Sequence, residues 1–228
     1  MTTNSYFNET HDMVRQTTRK FVEKEILPYI NDWEEQGGIP RELYKKAGDA
    51  GLFSINFPEH CGGAGEDIFM LIAFTEEIMR STSGGLVASL GSLGIGLPPV
   101  VNFGSDELIQ RIAPDVMAGN KIQALAVTEP GGGSDVANLK TRAVREGDHY
   151  IVNGSKTFIT SGISCDYATV AVRTGGEGSG GISMLLIEKD REGFTTGSKM
   201  NKMGWWASDT AELFFDNVKV PVANLIGK

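Results

Sequence analysis

The residues best suited to chemistry lie in residues 122–135, IQALAVTEPGGGSD. The first half alternates as a strand does, with Leu125 and Val127 on one side and Ala124 and Ala126 on the other. Pro130 offers no N–H to a ladder and ends the strand. Gly131, Gly132 and Gly133 follow, a backbone that turns sharply and can leave its N–H groups pointing outward. A run of such amides holds an anion without help from a lysine. Thr128 and Ser134 add a hydroxyl at either end. This is the wall of a site for a phosphate-bearing or electron-rich ligand. Taken alone, a glycine turn after a strand is more often a turn and nothing else. It is not a Walker loop, because no Gly-Lys-Ser/Thr follows, and it lacks the GxGxxG spacing that opens a dinucleotide-binding helix.

The bulk properties limit the partners. A chain of 228 residues holds one large domain or two modest ones. Net charge is −8 and no run of five basic residues occurs, which argues against a nucleic-acid surface. An anionic ligand must therefore be held by local donors against that field. Cys61 and Cys165 lie far apart and outside any CxxC, so a reduced, cytoplasmic protein is expected. His11, His60 and His149 have no ligand spacing, and no metal is expected. Residues 1–16 lack the apolar core of a secretory signal. Residues 81–105 carry no charge, but their glycines, serines and Pro98-Pro99 make a spanning helix unfit, and membrane insertion is not expected. That stretch reads as one helix buried in a helical domain.

Helical spacing organises the first half. Val14, Thr17, Phe21, Val22, Ile26, Ile30 and Trp33 recur on one face, with Thr10 as the expected cap and Pro28 as the expected kink or end. Pro40 suits the first position of a second helix, which buries Leu43, Ala47 and Ala50 and stops at Gly51. A third helix over residues 66–82 is too apolar for a surface helix, with Phe69, Ile72, Ala73, Phe74 and Ile78. After the uncharged segment, Ser105 starts a last helix, with Asp106 and Glu107 at the positive end of its dipole, and Gly119-Asn120 closes it. From residue 122 the period changes to short strands: 167–172, 182–187 and 211–215, with a loop over 174–181. Val152-Asn153-Gly154-Ser155 reads as a hairpin turn. The expected fold class is α+β: an all-α domain over residues 1–121, then an antiparallel β-barrel over 122–228, of about 100 residues.

Several blocks, in order, resemble the acyl-CoA dehydrogenase family. They are PEHCGGAGED at 58–67, ALAVTEPGGGSDVANLKTRA at 124–143, GDHYIVNGSKTFITSG at 147–162 and MGWWASDTAELFFDNVKVPVANLIG at 203–227. The resemblance covers nearly the whole chain. It implies a helical N-terminal domain and a β-barrel middle domain, with a C-terminal four-helix bundle expected beyond Lys228. It implies FAD-dependent α,β-dehydrogenation of acyl-CoA thioesters to trans-2-enoyl-CoA in fatty-acid degradation. Electrons would pass to an electron-transfer flavoprotein, and the full-length enzyme would be a homotetramer. In the family the catalytic glutamate belongs to the bundle, so no catalytic residue is expected in residues 1–228, and these residues alone are expected to be inactive. Glu129 reads instead as structural or turn-forming.

The resemblance also places a flavin site. Thr128 matches the threonine that reaches the pyrimidine side of the flavin, and Thr160 the residue that hydrogen-bonds near N5. Phe158 stands where a tryptophan is common, able to pack on the ring but with no indole N–H. Leu125, Val127, Gly133 and Ile159 match further FAD contacts. Ser134 matches a serine touching both FAD and the CoA part of the substrate, and Ser179 a residue beside the CoA chain. Trp205-Trp206 replaces a common Gly-x-Arg, with core packing the favoured role over an interface or a recast substrate edge. The surrounding wording is nearest to long-chain members. Two other classes share these features: a flavin monooxygenase or acyl-CoA oxidase, set apart by oxygen reactivity of the reduced flavin, and a non-catalytic FAD- or acyl-CoA-binding protein.

Overall fold

A computed structural model describes residues 6–65 and 67–227. Glu66, where the third helix is expected to open, and Lys228 lie outside them. The described residues form two compact units. The first holds residues up to Leu90 together with Pro114–Asn120 and Lys202–Ser208; the second holds Gly91–Ala113, Lys121–Asn201 and residues from Asp209 onward.

The first unit is built on helices. Helix α1 (Glu9–Phe21) is capped by Asn8 and not by Thr10. Asn8 is extended, so its side-chain oxygen reaches the amides of Thr10 and His11, while His11 Nδ1 accepts from the Asn8 amide at 2.8 Å. A π-helical turn (Val22–Ile26) precedes Pro28, which has no N–H to carry the helix on, and α2 (Ile30–Gln36) ends at Gly37 with φ 78°. Helix α3 (Arg41–Asp49) follows Pro40 as expected. Helix α4 (Ile68–Ile78), capped by Asp67, lies against α1. Arg19 grips the buried Glu77 with two bonds of 2.9 and 2.6 Å, and His11 meets Asp67 at 2.8 Å. Ile68 and Ile72 of α4 are exposed, against the expectation of full burial.

The uncharged stretch is not one helix. It breaks into α5 (Gly84–Gly91), α6 (Leu93–Gly96) and α7 (Pro98–Phe103), because Pro98 and Pro99 supply no N–H to the preceding turn. Helix α8 (Asp106–Met117) follows, its Leu108 amide donating to the Ser105 hydroxyl at 3.2 Å. No single helix among the described residues is long and apolar enough to cross a membrane. Within the first unit the segment 202–208 returns to the helices: the Ala207 amide donates to Glu34 at 2.9 Å, and Trp205, at φ 60°, sits on the bare backbone of Gly84 and Gly85. Neither tryptophan is core. Trp205 and Trp206 are 60% and 52% exposed, so the packing expectation is corrected: polar anchors at Ala207 and Trp206 Nε1 fix the segment and leave both rings outside.

The second unit carries one sheet. Its strands are β1 (Gln123–Ala126), β2 (Arg142–Glu146), β3 (His149–Thr160), β4 (Tyr167–Arg173), β5 (Ile182–Glu188), β6 (Phe194–Thr196), β7 (Thr210–Pro221) and β8 (Leu225–Ile226). Their order is β6-β7-β3-β2-β4-β5-β8, with β1 paired to β4. The helical-then-sheet class holds, but the antiparallel barrel is corrected on two points. The sheet is open, ending in β6 and β8, strands of three and two residues that offer too few groups for a closing ladder. Two of its pairings are parallel: β1 runs parallel to β4, Gln123 opposite Tyr167, and β2 meets β4 at Arg142 and Arg173. Intervening strands β2 and β3 make the β1–β4 connection long enough for that crossover.

The expected turn at residues 152–155 is also corrected. All four lie within the continuous strand β3, where Gly154 (φ 143°) pairs with Phe215; the extra residue between the Val152–Val218 and Gly154–Phe215 pairs is on β7, where Asp216 and Asn217 (φ 52°) bulge opposite Asn153. The true β2–β3 turn sits at Gly147 (φ 63°), where Glu146 pairs with His149. Val152, Val170, Leu185, Leu186, Leu213 and Val220 are fully buried; Leu185 and Leu186 are adjacent and point to opposite faces, so β5 is covered on both sides.

Candidate functional site

The site grows from the end of β1. Beyond Ala126 the chain leaves β4 and approaches β3. The Thr157 amide donates to the Thr128 carbonyl at 2.9 Å, which brings Thr128 beside Phe158, Ile159 and Thr160. Strand β3 is irregular there, with a register shift between Lys156 and Ile159, and Phe158 takes φ 59°. The shift turns Phe158 outward, 68% exposed, while Ile159 is buried opposite Ala211 and Thr160 is half-buried opposite Thr210. Leu125 is half-buried opposite Thr169. Gly133 is exposed but close-packed: a Cβ there would lie 3.2 Å from the Thr128 methyl. Thr128 and Gly133 therefore pack together at the Thr157 end of the segment that carries Phe158, Ile159 and Thr160. Among the described residues, the Thr128 N–H and the hydroxyls of Thr128 and Thr160 donate to no protein group.

Glu129 makes the turn. Its amide donates to the Gly132 carbonyl at 3.1 Å and its carbonyl accepts from the Gly132 amide at 3.0 Å. Its buried carboxylate accepts from the Lys140 amide (2.6 Å), the Thr141 amide (2.8 Å) and Lys156 Nζ (2.9 Å). Burial pushes this carboxyl upward, but bonds from Thr141, Lys140 and Lys156 together outweigh it and hold the pKa at about 2. A carboxylate so engaged is a poor proton acceptor, which fits a turn-forming role. Lys156 is fully buried and also donates to the Val127 carbonyl at 3.0 Å. Burial pushes its ammonium below the ordinary value, and Glu129 opposes that.

Ser134 and Ser179 are both exposed; Ser134 directly follows Gly133 and leads into the short turn Val136–Asn138, and Ser179 opens the turn Ser179–Gly181, which lies beside it. Arg173 ties these turns together. It donates to the carbonyls of Leu139 (3.1 Å) and Ala137 (2.7 Å) on one side, and to those of Gly176 and Gly178 on the other. A cleft of about 350 Å³ opens beside the glycine turn, lined by Pro130, Gly131, Gly132, Asn138, Thr141 and Ser155 among others. Thr128, Gly133, Ser134 and Thr160 are not among its lining residues. Among the described residues no group of three His, Cys, Asp or Glu is placed to hold a metal.

Sequence reasoning missed Lys156, Thr141 and Arg173. One trace existed for Lys156, the lone charge within the strand segment Val152 to Thr160, but its partner is 27 residues away and nothing local pairs them.

The N-terminal domain model of acyl-CoA dehydrogenases matches residues 8–120 and the middle domain model residues 124–218. The chain belongs to the acyl-CoA dehydrogenase family. A long-chain specific mitochondrial acyl-CoA dehydrogenase of Rattus norvegicus is 42% identical over 225 residues, covering 97% of this chain and 52% of the relative. A crystal structure of a probable acyl-CoA dehydrogenase from Mycobacterium abscessus superposes with a TM-score of 0.95 at 49% identity, covering 98% of this chain and 60% of that one. The acyl-CoA dehydrogenase of Bacillus anthracis, solved in complex with FAD, gives a TM-score of 0.90 at 34% identity, covering 99% and 38%. The chain spans about half the length of the rat relative. Within this family member, the middle-domain match contains Thr128 and Thr160 as well as Ser134 and Ser179.

Proposed function

We propose that this chain is the helical and sheet part of an FAD-dependent acyl-CoA dehydrogenase that oxidises acyl-CoA to trans-2-enoyl-CoA. The observation that carries the reading is the Thr157–Thr128 hydrogen bond, which sets the Thr128 hydroxyl beside the segment that carries the exposed Phe158 ring and the Thr160 hydroxyl. This donor set fits a flavin. Reduction concentrates negative charge on one edge of its ring system, and preplaced N–H and O–H donors stabilise that charge. FAD supplies the acceptor for the hydride leaving the acyl β-carbon. Thr128 and Thr160 hold the electron-rich edge, and Phe158, Leu125, Val127 and Ile159 supply apolar support. Gly133 leaves room beside Thr128 because it has no side chain. Ser134, next to Gly133, would contact both FAD and the CoA part of the substrate, and Ser179 the CoA part alone.

No catalytic base is assigned within residues 1–228, since Glu129 is committed to four partners in its turn. The reading carries with it a domain boundary near residue 121, a homotetrameric full-length enzyme in the cytoplasm, a role in fatty-acid degradation, and an electron-transfer flavoprotein as acceptor. The test is a visible spectrum of the purified chain with added FAD, then with acyl-CoA. A shifted flavin band that acyl-CoA does not bleach is expected. An unshifted band overturns the assignment of these residues to FAD. Bleaching by this chain alone overturns the placement of the base elsewhere.

A further inference from the structure

The Val127 carbonyl and the Thr128 N–H belong to one peptide group. The carbonyl end accepts from Lys156 Nζ at 3.0 Å. The N–H end donates to no group among the described residues and belongs to a residue assigned to FAD. A cation on the oxygen of an amide withdraws electron density from its nitrogen and makes the N–H a stronger donor; hydrogen bonds in a chain reinforce one another in this way. We infer that Lys156 is a positioning residue that primes the Thr128 amide to bind the electron-rich edge of the cofactor. It acts through one peptide unit and without touching the ligand.

The geometry around Lys156 is specific to that role. Its side chain is fully buried, so its ammonium is directed at a carbonyl and a carboxylate instead of water. Glu129 takes one of its protons and, through the Lys140 and Thr141 amides, is itself immobilised. The Thr157 amide, next in sequence to Lys156, holds the far side of Thr128. Residues 156 and 157 thus grip consecutive carbonyls, those of Val127 and Thr128, and fix the orientation of the N–H between them.

The inference rests on the flavin reading for its ligand but not for its first test. Removing Lys156 alone strands the Glu129 charge, so the comparison sets E129Q against E129Q/K156M, both read at about pH 6, where the lysine left without Glu129 is held protonated against the effect of burial. In the ligand-free chain, a three-dimensional HNCO spectrum reports the Val127 carbonyl carbon and the Thr128 N–H in a single cross-peak. E129Q is expected to leave that peak near its wild-type position. E129Q/K156M is expected to move both its carbon and proton upfield, while the peaks of β4 and β5 stay in place, and to bind FAD about tenfold more weakly than E129Q. A cross-peak at the same position in both variants, or equal FAD affinity in both, overturns the inference. If the wild-type chain leaves the FAD spectrum unshifted, the flavin reading falls, and the cross-peak alone decides for or against Lys156.

Discussion

Lys156 and Glu129 form an ion pair at 2.9 Å, with the lysine side chain fully buried and the glutamate 8% exposed. The pair joins the middle of β3 to the turn after β1. Breaking such a pair leaves a buried charge without compensation, which costs about 3–5 kcal/mol, whereas removing both charges costs much less. Lys156→Met is therefore expected to lower the urea midpoint sharply, and E129Q/K156M to recover most of the loss. Equal destabilisation by the single and double variants would count against a buried ion pair.

Acid should weaken the second unit over a defined range. Glu129 and Glu188 both have pKa values held at about 2, against 4.5 for an unperturbed group. For Glu188, burial pushes upward, and Arg191, Arg111 and Asn224 together prevail. Lowered carboxylate pKa values stabilise the fold fully above pH 4.5, and that contribution is lost as pH falls toward about 2. Each group contributes about 3 kcal/mol. Urea midpoints should be level at and above neutrality and fall steeply below pH 4.5, and Glu188→Gln should flatten that fall. Midpoints independent of pH in that range would contradict the pairing.

Glycine positions separate into two kinds. Gly154 has φ 143°, and a Cβ there would lie 2.7 Å from the Thr141 Cα, so Gly154→Ala should cost about 1–3 kcal/mol or more. Gly131 has open space around its missing side chain and no positive φ, so Gly131→Ala should stay within about 0.5 kcal/mol of wild type. Thermal denaturation of the two variants decides the matter, and a larger loss at Gly131 would refute this account of Gly154.

Phe158 is 68% exposed at φ 59°, an arrangement that packing does not explain. Phe158→Ala should leave the thermal midpoint nearly unchanged and weaken FAD binding by about tenfold, the loss of one ring contact. Fluorescence titration with FAD reads the second effect. A variant that loses stability but keeps its FAD affinity would make Phe158 a structural residue.

Local pattern accounts for much of the fold. The period of Val14, Phe21, Val22 and Ile26 places α1 and the π-turn after it, both lying before Pro28, although the change of winding at Val22 is not written in that period. The apolar runs at 167–172 and 182–187 place β4 and β5, because a buried strand needs continuous apolar residues and no distant partner to specify that need. Asn153-Gly154 misled, since the same absence of a side chain serves a close approach within a strand as well as a turn, and only the backing residue Thr141 distinguishes them.

The sequence by itself determined that helices precede strands, that a glycine turn follows β1, and which blocks mark an acyl-CoA dehydrogenase, because each of these is written in neighbouring residues. Tertiary structure alone decided that the sheet stays open with β1 parallel to β4, that Glu129 is spent on Lys140, Thr141 and Lys156, and that Arg173 ties Ala137 and Leu139 to Gly176 and Gly178. These depend on pairings across long stretches of chain. A strand's edge and a buried charge accept any complementary partner, and only the folded path determines which one arrives.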